Sequence, residues 1–176
     1  MGRKKNDPPT IHYIGQSVDA LVDHPVEKYG DPRNPIVTIS IRGILIPNTL
    51  IDLREAINVI TLQTVQQLDI LNLRPTPTML ELADRSRIKP EGVLDDEIVS
   101  LDSWEYPVDL FLLQPKSTSR GHPIVLGRPW LARTHAFIGC RLGEMYLPEG
   151  NSFKQVSLYP PTKAITKLQD ETWFEK

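Results

Sequence analysis

Sixteen of the 176 residues are proline, nearly double the usual share of about 5%. They are scattered from Pro8 to Pro161. Proline has a fixed φ and no amide hydrogen, so it interrupts helix interiors and central strands. A bundle of long helices is therefore excluded. What remains is a chain of short strands and turns with, at most, brief helices. Apolar residues make up 40% of the chain, enough for one globular core.

Charge and patterning exclude several function classes. Twenty basic and 22 acidic residues leave a net charge of −2, with no basic excess to track a nucleic-acid backbone. The longest apolar runs are four residues, such as 110–113, so no membrane helix is expected. Arg3-Lys4-Lys5 is followed by Asn6-Asp7-Pro8-Pro9 rather than by an apolar stretch, which does not fit a secretory leader. The single cysteine, Cys140, rules out an internal disulfide framework and a multi-thiolate zinc site, and is expected as a small buried residue. An intracellular, cytoplasmic setting is the expectation.

The chain divides into three parts. Residues 1–28 are a polar tail or linker with at most one short helix near Ser17 to Val22. Residues 29–150 form a domain of strand character. Residues 151–176 carry Pro160-Pro161 and a charged end, and are expected as a linker with a short helix around Lys163 to Gln169.

Within the domain, Val37 to Arg42 alternates apolar and polar residues, as a half-buried strand does. Gly43 permits a turn, and Ile44 to Ile51 supplies a second strand. Thr78 to Ala83 reads as a strand, 84–87 as its turn, and Val93 to Leu101 as the return. Asp95-Asp96-Glu97 reads as a solvated strand end. Trp104, Tyr106, Val108, Leu110 and Leu112 fall on one face of a strand that Pro107 places at an edge. Ile124 to Leu126 is a short buried strand, after which Pro129 opens a short helix. Ala136 to Cys140 and Glu144 to Leu147 form a hairpin. The sum is an all-β, barrel-like domain with one or two short helices.

Most catalytic motifs are missing. There is no glycine-rich phosphate loop and no GxSxG elbow, and His12, His24, His122 and His135 lack metal-ligand spacing. One order of segments is more specific. Leu50-Ile51 runs into Asp52-Leu53-Arg54-Glu55-Ala56, then into the apolar Ile57-Asn58-Val59-Ile60, and Thr61 can cap a helix over Leu62 to Leu68. A hairpin tip, Leu82-Ala83-Asp84-Arg85-Ser86, follows, and then Val125-Leu126-Gly127-Arg128-Pro129-Trp130-Leu131. Residues 52–60 allow two readings. They are a tight turn entering a strand, or a helix whose capping box pairs Asp52 with Glu55. The β-branched residues Ile57, Val59, Ile60 and Thr61 favour the strand.

This order resembles the retropepsin-like aspartic protease domains of plant gypsy-type LTR retrotransposon polyproteins, over about Tyr29 to Gly150. In that family a strand ends in Asp-Thr/Ser-Gly-Ala or Asp-Leu-Gly-Ala, a flap carries Leu-Ala-Asp-Arg-Ser, and the closing motif is Ile-Leu-Gly-Arg-Pro-Phe-Leu. The resemblance implies a small closed β-barrel with Asp52 as the catalytic residue and 53–56 as its turn. It implies a flap at Ala83, Asp84, Arg85 and Ser86 over an extended peptide, and a structural loop at Leu126 and Gly127. Two carboxylates about 3 Å apart share one proton in such enzymes. With a single copy of the motif, the resemblance implies a homodimer. Water is the nucleophile, so no metal or organic cofactor is implied.

The turn departs from the family. Arg54 stands where the glycine is expected, and Glu55 where the alanine is. Arginine lacks glycine's conformational freedom, and its cation favours ionised Asp52, against a singly protonated dyad. Two functions follow: an aspartic endopeptidase of polyprotein-like peptides with impaired activity, or an inactive pseudoprotease that dimerises or binds extended peptides.

Overall fold

The computed structural model describes residues 33–82, 84–114 and 121–159, together with the backbone of 166–167. The expected N-terminal tail and its helix near 17–22 lie outside the described residues.

Strand β1 (Ile36–Ile41) turns at Arg42 and Gly43 into β2 (Ile44–Ile51). A turn leads to β3 (Asn58–Thr61) and helix α1 (Leu62–Gln67). The Thr61 hydroxyl caps α1 by accepting from the Thr64 amide at 3.3 Å. The short hairpin β4 (Leu80–Glu81) and β5 (Arg87–Ile88) precedes two long strands, β6 (Gly92–Leu101) and β7 (Trp104–Leu113). β8 (Ile124–Leu126) enters helix α2 (Arg128–Thr134), followed by β9 (Phe137–Gly139), β10 (Glu144–Glu149) and β11 (Ser152–Ser157). Thr166–Lys167 is β12.

Six strands close on themselves. The order β1-β6-β7-β3-β8-β2 returns to β1 through the antiparallel β1–β2 pair, so the sheet is a barrel, as the strand pattern implies. Inward residues of alternate positions fill it: Val37, Ile39 and Ile41 of β1 and Leu110 and Leu112 of β7 are all buried. Trp130 of α2 is fully buried beneath, with its ring edge-on to Tyr106 at 6.1 Å between centroids. The sheet β9-β10-β11 adds Met145 and Leu147 to the same core.

Two pairings set up the site. β2 and β8 are parallel, with Ile51 beside Leu126, so both chains exit the barrel at the same end. β3 is antiparallel to β8, so β3 begins at that end. β8 lies between β2 and β3, and the 52–57 connection must therefore cross over the end of β8.

Several local expectations are corrected. Thr78 to Ala83 is not one strand: only Leu80–Glu81 pairs, while Thr78 bonds back to Thr76, which lies between Pro75 and Pro77, and Ala83 lies outside the described residues. Asp95 and Asp96 of the Asp95-Asp96-Glu97 segment are exposed as expected, but the segment is not a strand end. It is a bulge within β6, where the register shifts and Asp96 has φ 53°, and Glu97 turns inward to an ion pair with Arg42. Pro107 sits within the barrel on a strand with neighbours on both sides. It is tolerated because β3 pairs only with 110–113, which leaves the Pro107 level bonded to β6 alone. Cys140 is exposed, because the β9–β10 turn carries it outside the sheet. β11 pairs with β10 along its whole length, beyond residue 150. Thr166 and Lys167 pair with Leu45 and Ile44 of β2 rather than forming part of a helix, since β2 has a free edge there; the rest of 163–169 lies outside the described residues.

Candidate active site

Asp52 is the first residue after β2, and its amide donates to the Leu126 carbonyl at 3.0 Å. The chain then turns, with the Glu55 amide bonded to the Asp52 carbonyl at 3.2 Å. No helix follows: β3 starts at Asn58, so the turn-and-strand reading of 52–60 holds and the capping-box reading does not. The β-branched run is used as strand.

The turn crosses the end of β8 at close range. A Cβ on Gly127 would stand 2.3 Å from the Ile57 carbonyl oxygen and 2.7 Å from that of Glu55, so only glycine fits beneath it. Arg128 fastens the crossing from below. Its amide donates to the Glu55 carbonyl at 3.0 Å, and its Nη1 donates to the carbonyls of Leu53 and Arg54 at 3.2 and 3.0 Å. Asn58 fastens it from the side. Buried at the start of β3, it accepts from the Gly127 amide at 3.0 Å and donates to the Asp109 carbonyl at 3.2 Å. Neither Asn58 nor Arg128 is assigned a role by sequence reasoning. The available signal for Asn58 is a lone amide in the apolar run 57–60, since a polar group buried in a sheet requires partners.

The carboxylate of Asp52 is held by one residue. The Arg54 amide donates to Oδ1 at 2.9 Å, its Nε to Oδ1 at 3.2 Å and its Nη2 to Oδ2 at 3.0 Å. These bonds hold the Asp52 carboxyl below the usual aspartate range, the side-chain bond from Arg54 being the main cause, against a smaller upward push from burial. The same contact raises Arg54 further above its ordinary value. The side chains differ in exposure: Asp52 is 12% exposed and Arg54 83%. Leu53, Glu55 and Ala56 are also exposed, so the tip of the turn faces solvent.

The structure thus brings Asp52 onto Leu126, Glu55 onto Gly127, and the Leu53 and Arg54 carbonyls onto Arg128. The other predicted group, Asp84, Arg85 and Ser86, forms a separate two-stranded unit. Its tip is a tight loop in which Asp84 Oδ1 accepts from the Ser86 amide and hydroxyl at 2.9 and 2.6 Å, and Arg85 adopts φ 65°. Among the described residues, no three His, Cys, Asp or Glu side chains converge as metal ligands would, and no helix is long and apolar enough to cross a membrane.

No family model and no curated protein matches the sequence. Among solved structures, the chain is similar to the retroviral protease-like domain of Ddi1 from Leishmania major, with a TM-score of 0.58 and 12% identity. The match covers 74% of this chain and 99% of that domain. The protein therefore has a retropepsin-like fold, a closed barrel with two short helices.

Proposed function

We propose that this chain is a retropepsin-like aspartic endopeptidase domain of retrotransposon-polyprotein origin. In this reading, Asp52 from each of two copies forms the catalytic dyad, and Arg54 and Glu55 keep cleavage low. The observation that supports it is the position of Asp52: at the open end of a retropepsin-like barrel, on the turn that crosses Gly127. The polyprotein origin rests on the order of the Leu82 to Ser86 and Val125 to Leu131 motifs.

The chemistry needs one carboxylate as base on a water and one, protonated, polarising the scissile carbonyl. This chain offers one such turn, so the second carboxylate comes from a second copy. The 80–88 hairpin would fold over an extended peptide, which would bind by strand-like pairing. Arg54 acts against this cycle, because it stabilises the ionised form that the dyad must give up in one of its members.

That clamp also favours a second reading, a pseudoprotease that dimerises or binds extended peptides without cutting them. One experiment separates them. Peptide-library cleavage at mildly acidic pH is measured for the natural chain, Asp52→Ala and Arg54→Gly/Glu55→Ala. Cleavage by the natural chain that vanishes in Asp52→Ala supports the endopeptidase. Cleavage only after the double reversion identifies a scaffold disabled at its turn. No cleavage by any of them favours the pseudoprotease.

A further inference from the structure

Arg54 is not only an obstacle to catalysis. Its guanidinium is largely exposed, yet it grips a carboxylate that is largely covered. Only Nε and Nη2 are spent on Asp52, and the remaining guanidinium N–H groups point away from this pair's shared bonds. The tip of the turn therefore displays the Arg54 cation, with the mostly covered Asp52 carboxylate at its base and the exposed side chains of Leu53 and Glu55 beside it.

Such a tip is self-complementary. A two-fold axis through it sets the cation of each copy against the anion of the other, and the isologous contact satisfies both at once. It also removes the difficulty of the bare dyad, in which two carboxylates about 3 Å apart cannot both ionise. With two guanidinium groups between them, both carboxylates stay ionised. The other charged groups at this tip are Glu55, which lies beside Arg54 and adds to its positive hold, and Arg128, whose guanidinium is occupied by the Leu53 and Arg54 carbonyls.

We infer that Arg54 is a dimer lock: in a pair of chains related by a two-fold axis at the turn, each Arg54 bridges its own Asp52 and the Asp52 of the second copy. This rests on the homodimer reading above. It assigns to Arg54 a gain in association that accompanies the loss in catalysis. Charge pairs desolvated at an interface contribute to affinity when each partner is held in geometry, as Arg54 is by its fork on Asp52.

The test is sedimentation equilibrium of the 176-residue chain at about 50 mM and about 500 mM salt, with Arg54→Met and Arg54→Lys beside it. Far-ultraviolet circular dichroism checks that each variant is folded. A lock predicts a dimer in the natural chain that weakens with salt. Arg54→Met should dimerise about tenfold more weakly and lose most of the salt dependence, and Arg54→Lys should recover part of both. A natural chain that dimerises, with a folded Arg54→Met of equal affinity and equal salt response, overturns the lock and leaves the homodimer standing. A natural chain that is monomeric at every concentration overturns both.

Discussion

The Arg54 side chain grips both carboxylate oxygens of Asp52, two residues before it, at 3.2 and 3.0 Å. The pair is local, since no long-range contact is needed to form it, but its consequence is chemical. On the proposed reading, the carboxylate that would share a proton in a dyad is instead tied as an anion.

The first prediction concerns pH. The Asp52 carboxyl is lowered in the folded chain, chiefly by the Arg54 side-chain bond. Its contribution to stability is therefore fully present above the unfolded aspartate value, about 3.9, and is lost as pH falls through the lowered folded value. Carbon-13 titration of the Asp52 carboxyl should give a midpoint below that of an ordinary aspartate, and Arg54→Met should raise it. On the proposed endopeptidase reading, a singly protonated Asp52 dyad would form only at more acidic pH with Arg54 present, so Arg54→Gly should move the activity optimum upward. An Asp52 midpoint that does not change in Arg54→Met contradicts this account.

The second concerns Gly127. Adding one methyl group places a Cβ 2.3 Å from the Ile57 carbonyl oxygen, and backbone has to move on one side or the other. Gly127→Ala should lose about 2–3 kcal/mol in urea unfolding, a cost typical of overpacking against a rigid neighbour. Wild-type stability in this variant would show that the crossing is looser than drawn.

Asn58 carries the third. Replacing it with Leu keeps the volume but strands the Gly127 amide and the Asp109 carbonyl, both of which it serves. The expected loss is about 2–4 kcal/mol, because each buried group left unpaired costs on the order of 1–3 kcal/mol. Amide hydrogen exchange at Gly127 should accelerate more than exchange in β10, which lies in the three-stranded sheet.

Arg42 and Glu97 provide an asymmetric test. Arg42 Nε donates to Glu97 Oε2 at 3.2 Å, with side-chain exposures of 41% for Arg42 and 8% for Glu97. Arg42→Met leaves a buried carboxylate without its cation and should cost about 2–3 kcal/mol. Glu97→Gln leaves an arginine that water can reach and should cost about 1 kcal/mol. Equal losses from thermal unfolding of the two variants would contradict the burial difference.

Local chemistry alone carried much of this structure. The alternation of β1, the bounds of β2 at Ile44 and Ile51, the Thr61 cap and the Ile124 to Leu126 strand all lie where periodicity and capping place them. These features depend on neighbours within a few residues, so a linear reading reaches them. Asp52 as a turn residue was readable from the order of three short motifs; that Gly127 lies beneath the turn was not. The bulge that buries Glu97, the tolerance of Pro107, the continuation into β11 and the pairing of β12 with β2 were not. Each depends on which strand lies alongside, and that is settled only when the barrel closes. The same holds for Asn58 and Arg128, whose partners lie 51 to 75 residues away in the chain. Sequence determined the segments and the ion pair within the turn; tertiary structure decided that β8 runs between β2 and β3, and so why the turn must cross it on a glycine.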